Sequence, residues 1–391
     1  MVLHHLPAPG AGGLEGQVHT LCTGLLARGV DVRVVCRPSL YLPAATVPLR
    51  ERTTGPPAEQ QAAQGETPFL RMWRTSQELV EVEEVTTYDI VHVQSHYGYH
   101  TALQVAGIPG PRPALVTTFH LTALGGMLRL QELDLPQEPD IVETQPAAVM
   151  EATLARVSDH CIAVSDHVRN DLSRGYGAAQ ERISVVYNGV DTDLFHPSPR
   201  ADALRHLGFD PALRYVLSVG PVYGFRGRTL MDSLPLLDPD VRVLAIWPTS
   251  DPEPSEPPDP SGDRLIRVGY VPPEEMPTYY AAAELLAYPL AYTGFGLTLI
   301  EASACGCVPV AFNLPPASEL LSDTAWLVDE ITPRAFAHAI NAALRHPDTA
   351  RKARDGIRRA HSPHFSLDRM IDQTLAAYDT AIQTMNRDSS R

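Results

Sequence analysis

The chain has 391 residues, of which 44% are hydrophobic and 20% charged, and its formal net charge is -15. This length exceeds one ordinary core, so we predict two domains of roughly 150 to 200 residues each. The acidic balance argues against nucleic acid or an anionic membrane as a general partner, because both require basic surface. No apolar run reaches the ~18 residues of a membrane span, and no signal peptide is recognised at the N-terminus.

The cysteine and lysine content argues against several further kinds of protein. The five cysteines are odd in number and none stands in a C-x-x-C pair, so we expect neither disulfide bonds nor a zinc site. A reducing cytoplasm is the expected location. Lys352 is the only lysine, which excludes a Walker loop and disfavours a Schiff-base enzyme. The oligomeric state is left open, with a homodimer as one alternative.

Apolar segments and helical patterns alternate along the first half, which predicts an α/β fold with parallel sheets and helices on both faces. Residues 37–67 give no periodic signal and are interpreted as a mobile connection. A first helix has Val18 and Leu25 on its apolar face. Strands are predicted at residues 2–5, 30–36, 90–93, 114–118, 160–164 and 183–186, with further helices at about 144–157 and 166–175.

A second alternation follows a break at residues 197–199. The proline-rich stretch 248–260 marks an inserted loop. Strands are predicted at residues 215–219, 241–247, 265–268, 285–290 and 308–312. We therefore predict a first domain at residues 1–198 and a second at residues 199–365, with a C-terminal helix at about 366–387 that packs on the first domain.

Residues 292–310, Y-T-G-F-G-L-T-L-I-E-A-S-A-C-G-C-V-P-V, are the most informative segment. They read as a glycine loop between a buried strand and a helix that covers residues 297–304. Gly294 and Gly296 let the backbone turn tightly, and the N–H groups of the first helical turn face whatever occupies the loop. Glu301 lies about one turn into the helix, where its carboxylate can accept two vicinal hydroxyl groups. A plain structural turn is the alternative explanation for such a pattern.

The sequence of this segment resembles the donor-binding signature of the retaining glycosyltransferases of family 4 (glycosyl transferases group 1), E-x-F-G-L-x-x-x-E followed by A-x-A-x-G. Thr293 occupies the place of the first glutamate, which in the family contacts the transferred sugar. Glu301 matches the second, which holds the ribose of the nucleotide. The resemblance implies that the donor is also bound by Gly294, Phe295, Gly296, Leu297 and Thr298.

Further stretches extend the resemblance over about residues 10 to 330. G-G-x-E, with Gly12, Gly13 and Glu15, is similar to the N-terminal loop of the family, where the glycines approach the donor. V-T-T-F-H-L-T contains His120 at the place of a histidine that faces the donor sugar. I-S-V-V-Y-N-G-V-D-T-D-L-F-H-P is similar to its strand and interdomain turn.

The start of the second domain departs from the family pattern. V-G-P-V-Y-G-F-R-G places Pro221 where the family has an arginine and Arg226 where it has a lysine, and those two cations grip the donor diphosphate. One cation is lost. Arg226 remains for the diphosphate, since its planar fork suits two phosphate oxygens.

The resemblance implies a GT-B architecture, in which two Rossmann-like doubly wound domains face each other across a cleft. It implies transfer of a sugar from a UDP or GDP type donor to a small acceptor with retention of anomeric configuration, without metal or other cofactor. His120, Arg226 and Glu301 are the predicted catalytic residues, and Glu15 and His96 are placed on the acceptor side. Thr293 and Pro221 suggest an unusual sugar, as in specialised metabolism.

Two alternatives stay open at this point. One is a catalytically weakened relative that binds a nucleotide sugar without transferring it, which the lost carboxylate and the lost cation motivate. The other is a nucleotide-sugar 2-epimerase, which shares the two-domain architecture.

Overall fold

Two compact units make up the protein. Unit 1 runs to Asn188 and also contains the C-terminal stretch from Leu367, and unit 2 runs from Gly189 to Ser366. The sequence analysis set the first boundary after residue 198. The computed structural model describes residues 13–34, 85–135, 141–220, 224–246 and 263–388.

Unit 1 is built on a parallel sheet in the order β1-β2-β3-β4. The strands are β1 (Ile90–Gln94), β2 (Ala114–Phe119), β3 (His160–Ala163) and β4 (Ile183–Val185). The helices up to this point of the chain are α1 (Gly13–Ala27), α2 (Tyr99–Ala106), α3 (Ala123–Glu132), α4 (Ile141–Val157) and α5 (Asp166–Asn170). The four predicted strands from residue 90 onward are confirmed, with ends that differ by one residue.

The two strands predicted before residue 68 are not confirmed. The strand at residues 2–5 and the connection at 37–67 lie outside the described residues. Residues 30–34 form no strand, although Val32 and Val34 are buried in the core of unit 1. The predicted strand at 30–36 is therefore wrong over its described part. Alternate burial imitates a strand, whereas a strand also requires backbone hydrogen bonds to a neighbour.

Unit 2 contains a parallel sheet in the order β10-β9-β8-β5-β6-β7. The strands are β5 (Arg214–Val219), β6 (Val241–Ile246), β7 (Leu265–Gly269), β8 (Leu285–Tyr288), β9 (Val308–Phe312) and β10 (Trp326–Val328). The helices are α6 (Arg200–Leu207), α7 (Gly224–Ser233), α8 (Met276–Ala282), α9 (Leu297–Ala304), α10 (Ala317–Leu321), α11 (Pro333–Arg345) and α12 (Asp348–Ala360). The five predicted strands and the predicted helix at 297–304 are confirmed.

The order of the strands in unit 2 reverses between β5 and β8. From β5 the sheet grows through β6 and β7 on one side and through β8, β9 and β10 on the other. All pairings are parallel, so the carboxyl ends of β5 and β8 lie side by side at one edge. In open α/β sheets this switch point leaves a crevice in which ligands bind.

The last helix, α13 (Leu367–Asp388), belongs to unit 1. It packs on α1, β2 and β3. Arg28, directly after α1, donates hydrogen bonds to Asp368 and Asp372, and Gly24 lies against Ile371 so closely that a Cβ there would overlap its side chain. The chain therefore returns to its first unit after completing the second.

Candidate functional site

The loops after β5 and β8 leave the sheet at the switch point of unit 2. Val216 pairs with Leu285 and Leu217 with Leu286, so the two strands end beside each other. The first loop leads to Arg226 and the second contains Thr293, and the predicted donor-binding residues of unit 2 are thereby brought to one edge of the sheet. Pro221 lies outside the described residues.

Gly220, directly after β5, makes room for Arg226. Its φ is +110°, and a Cβ at this position would lie 2.4 Å from Nη1 of Arg226. An L side chain is disfavoured by the backbone and also collides with the guanidinium. Nη2 of Arg226 donates to the carbonyl oxygen of Val219, and it lies 3.4 Å from Oγ of Ser218. The end of β5 therefore holds the arginine in place.

The guanidinium of Arg226 is largely buried, and no counter-charge for it lies among the described residues. Its Nε is inaccessible and has no hydrogen-bond partner, and no carboxylate of the described residues forms an ion pair with it. Burial lowers the pKa of Arg226 to about 10, while Tyr288 and Tyr280 act in the opposite direction. A desolvated cation without a partner is costly. The site is therefore electrostatically prepared for an anion.

Tyr288, at the end of β8, joins Arg226 to the glycine loop. Its hydroxyl shares a hydrogen bond with the side chain of Thr293. Burial raises the pKa of Tyr288 to about 12, against the lowering effect of Arg226 and Thr293. Gly296 has a φ of +83°, and a Cβ there would lie 2.6 Å from the Tyr288 hydroxyl. Gly296 is thus required by its backbone conformation and by the tyrosine together.

Helix α9 begins directly after this loop. The N–H groups of Leu297 and Thr298 belong to its first turn, which contains no acidic residue, and such groups have no acceptor inside their own helix. Gly294 is buried. Phe295 is also buried, with its ring 6.3 Å from that of Phe365 in an edge-on arrangement. Phe295 therefore anchors the loop by packing.

Glu301 lies one turn into α9 and is oriented by a tyrosine of α8. The hydroxyl of Tyr280 donates to Oε2 of Glu301 at 2.9 Å. Burial raises the pKa of Glu301 to about 7, and the hydrogen bond from Tyr280 opposes this shift. Tyr280 is the one side chain in the described ranges that donates to this carboxylate, so Oε1 can accept hydrogen bonds from a ligand.

His120 follows β2 in unit 1 and is held from the neighbouring strand. Its Nε2 lies 2.7 Å from Oε1 of Gln94, and its backbone N–H donates to Oγ of Ser95 at 3.3 Å. Burial lowers the pKa of His120 to about 4, so the imidazole is neutral at physiological pH. Ser95 has a φ of +48°, a strained conformation of the kind that accumulates at functional sites.

His96, predicted on the acceptor side, is tied to a buried carboxylate. Its Nδ1 lies 3.2 Å from Oε1 of Glu151, which is fully inaccessible. The other oxygen of Glu151 accepts from the Tyr176 hydroxyl at 2.6 Å and from the backbone N–H of Ala123 at 2.8 Å. Glu151 thus fixes the first turn of α3 and, with it, the segment after His120.

The remaining predicted residues are less informative. Gly13 is the exposed first residue of α1, Gly12 lies outside the described residues, and nothing is described of the Glu15 side chain. Arg228, two residues after Arg226, is exposed. In the described ranges no group of three or more His, Cys, Asp or Glu residues is arranged to hold a metal ion, and no helix is long and apolar enough to cross a membrane.

Sequence reasoning missed several residues of this arrangement. Gly220, Tyr280 and Tyr288 contact the predicted donor-binding residues of unit 2 or their loop, and Gln94 and Glu151 contact the histidines of unit 1. Gly220 and Gln94 had a usable signal, because each stands at the carboxyl end of a predicted strand, where ligands of parallel sheets bind. The two tyrosines and Glu151 had none, since a buried tyrosine or a helical glutamate is common in sequence.

Comparison with protein families yields two matches. The family described as "Glycosyltransferase Family 4" matches residues 11–194, and "Glycosyl transferases group 1" matches residues 261–360. The first match includes His120 and Gln94, and the second includes Tyr288 and Glu301.

Curated relatives align over nearly the whole chain. The D-inositol 3-phosphate glycosyltransferase of Mycobacterium sp. (strain KMS) is 31% identical over 95% of this chain and 86% of its own. The protein of the same name from Segniliparus rotundus is 29% identical over 95% of this chain and 85% of its own.

Solved structures share the fold. Sucrose-phosphate synthase from Thermosynechococcus elongatus superposes with a TM-score of 0.79 at 21% identity, covering 98% of each chain. Anabaena HepE, solved in complex with UDP and glucose, superposes with a TM-score of 0.69 at 18% identity, covering 97% of this chain and 99% of its own.

Proposed function

Because this chain belongs to the family 4, group 1 glycosyltransferases and has their GT-B fold, we propose that it transfers a sugar from a UDP or GDP type donor to a small-molecule acceptor. We further propose that the transfer retains the anomeric configuration and needs no metal ion. The alternatives of a 2-epimerase and of a binding protein without transfer are less favoured, since the curated relatives are named glycosyltransferases.

The observation that carries the proposal is the desolvated guanidinium of Arg226 without a carboxylate partner among the described residues. It lies at the switch point of a parallel sheet, beside Tyr288 and the loop before α9. A diphosphate supplies the missing negative charge, and the N–H groups of Leu297 and Thr298 stabilise the charge that develops when it leaves. Glu301 then accepts the ribose hydroxyls.

The reaction needs no nucleophile from the protein in this proposal. The acceptor hydroxyl attacks the anomeric carbon from the face that the diphosphate leaves, and a phosphate oxygen of the donor takes its proton. His120 is neutral and hydrogen-bonds a hydroxyl of the transferred sugar. Retention is tested by the anomeric coupling constant of the product, and metal independence by activity in excess chelator.

Nucleotide binding tests the anion site directly. Thermal shift with UDP, GDP, ADP and dTDP identifies the base, because a ligand that binds the folded state alone raises its melting temperature. Arg226→Met is expected to abolish the shift. Arg205→Met is the matched control, since Arg205 is exposed in α6 and paired with Asp202. Equal binding by wild type and Arg226→Met contradicts the proposal, as does the absence of binding to all four nucleotides.

Thr293 motivates a narrower proposal about the donor sugar. Its side chain is neutral and engaged with Tyr288, where the family pattern has a glutamate. We propose that the donor carries a sugar other than glucose. Turnover of a panel of nucleotide sugars by wild type and by Thr293→Glu tests this, because full-rate use of UDP-glucose by the wild type would exclude it.

A further inference from the structure

A chain of hydrogen bonds inside unit 1 leads from the C-terminal helix to His120. The hydroxyl of Tyr378 in α13 lies 2.8 Å from Nδ1 of His92 in β1. Nε2 of His92 lies 2.7 Å from Oγ1 of Thr118 and 3.3 Å from Nε2 of Gln94. Gln94 then reaches Nε2 of His120 at 2.7 Å. His92 and Gln94 are almost completely buried, with 2% and 0% of their surface exposed.

Both imidazoles in this chain are neutral. Burial lowers the pKa of His92 to about 3 and that of His120 to about 4. A neutral imidazole has one N–H donor and one acceptor nitrogen, so each contact has a defined direction. Burial also raises the pKa of Tyr378, which keeps its hydroxyl protonated.

The distances select one set of directions. The 2.7 Å contact between Gln94 and His120 has the length of an N–H···O bond, whereas 3.3 Å between Gln94 and His92 suits the longer N–H···N contact. The amide oxygen of Gln94 can only accept, so Nε2 of His120 carries the hydrogen. The amide nitrogen of Gln94 can only donate, so His92 accepts through Nε2 and donates through Nδ1 to Tyr378. The hydroxyl of Thr118 then also donates to Nε2 of His92, so it shares this lone pair with the Gln94 amide.

We propose that Gln94, braced by the His92–Tyr378 pair, is a positioning residue that fixes His120 as the Nε2–H tautomer. The Nδ1 lone pair of His120 is thereby presented as an acceptor for a hydroxyl group of the sugar substrate. No described residue hydrogen-bonds Nδ1 of His120, and part of the residue is accessible. This inference rests on the proposed function for its substrate but not for its tautomer.

The tautomer is measured without any activity. Imidazole 15N chemical shifts of the full chain, labelled in histidine, distinguish protonated from unprotonated ring nitrogens, and His120→Gln assigns the signal. The expected result is a protonated Nε2 and an unprotonated Nδ1. A protonated Nδ1 in the wild type overturns the proposal.

Steady-state kinetics test whether the positioning of His120 by Gln94 matters for catalysis. Gln94→Leu removes the acceptor and is expected to lower kcat/KM by about tenfold, the equivalent of one hydrogen bond, while nucleotide affinity in unit 2 stays unchanged. Gln104→Leu, an exposed glutamine of α2, controls for the substitution itself. Gln94→Glu keeps the acceptor oxygen and is expected to retain the Nε2–H tautomer and to raise the pKa of His120 in the same spectra.

The outcomes separate the two proposals. A wild type that binds no nucleotide and transfers no sugar ends the proposed function, and the spectra still decide the tautomer. An active wild type whose kcat/KM is unaffected by Gln94→Leu overturns the positioning role alone.

Discussion

The hydroxyl of Tyr280 donates a 2.9 Å hydrogen bond to Glu301 and turns the carboxylate of α9 into a fixed acceptor. Because this bond lowers the pKa of Glu301 while burial raises it, Tyr280→Phe is expected to raise that pKa further. Nucleotide-sugar affinity at pH 7 should then fall about fivefold, the equivalent of about 1 kcal/mol. Calorimetry between pH 6 and 9 measures it, and recovery of affinity at high pH is expected. Tyr215→Phe, another buried tyrosine of unit 2, is the control.

The same carboxylate makes stability depend on pH. The folded protein retains a proton on Glu301 up to a pKa of about 7, whereas the unfolded chain releases it at about 4.5. The free energy of unfolding therefore loses a contribution as pH rises from about 4.5 to 7. Glu301→Gln has no carboxyl group to titrate and lacks this loss. The melting temperature of the variant minus that of the wild type should therefore be larger at pH 8 than at pH 5. An equal difference at both pH values would contradict the assignment.

Gly220 is expected to govern anion binding through Arg226. Gly220→Ala places a Cβ 2.4 Å from Nη1 of the guanidinium at a φ of +110°, so the guanidinium must move. We expect loss of the thermal shift produced by the nucleotide that stabilises the wild type. Gly269→Ala is the matched control, because Gly269 also has a positive φ, +81°, but a Cβ there meets nothing within 4 Å. Both substitutions place a side chain at a positive φ, so both should lower the stability of the fold. Only Gly220→Ala should also lower nucleotide affinity.

Glu151 is expected to contribute strongly to the stability of unit 1. Glu151→Leu leaves the Tyr176 hydroxyl and the Ala123 N–H without their acceptor and should cost about 3 kcal/mol of stability. Glu132→Ala removes an exposed pair with Arg129 and should cost less than about 1 kcal/mol. Thermal unfolding compares them, and equal effects would contradict the role assigned to Glu151.

Most strand positions and the glycine loop before α9 could be predicted from the sequence. Continuous apolar runs mark the strands of a parallel sheet, and β9 and α9 have the predicted bounds. The segment at 30–36 misled because burial of Val32 and Val34 has the same pattern as a strand. Glu301 was named from the glycine loop and helix start and from the family resemblance together, whereas Arg226 and Thr293 were named from the resemblance, which is carried by short local motifs.

The sequence alone determined the fold class, the family and the loop that precedes α9, since each depends on residues close together in the chain. Only the tertiary structure decided which side chains complete the site. Tyr280 reaches Glu301 from another helix, Gly220 admits Arg226 from another loop, and Tyr378 is more than 250 residues from His120 in sequence. Burial, which lowers the pKa of Arg226 and of His120 and raises that of Glu301, is a property of that packing and has no local signature.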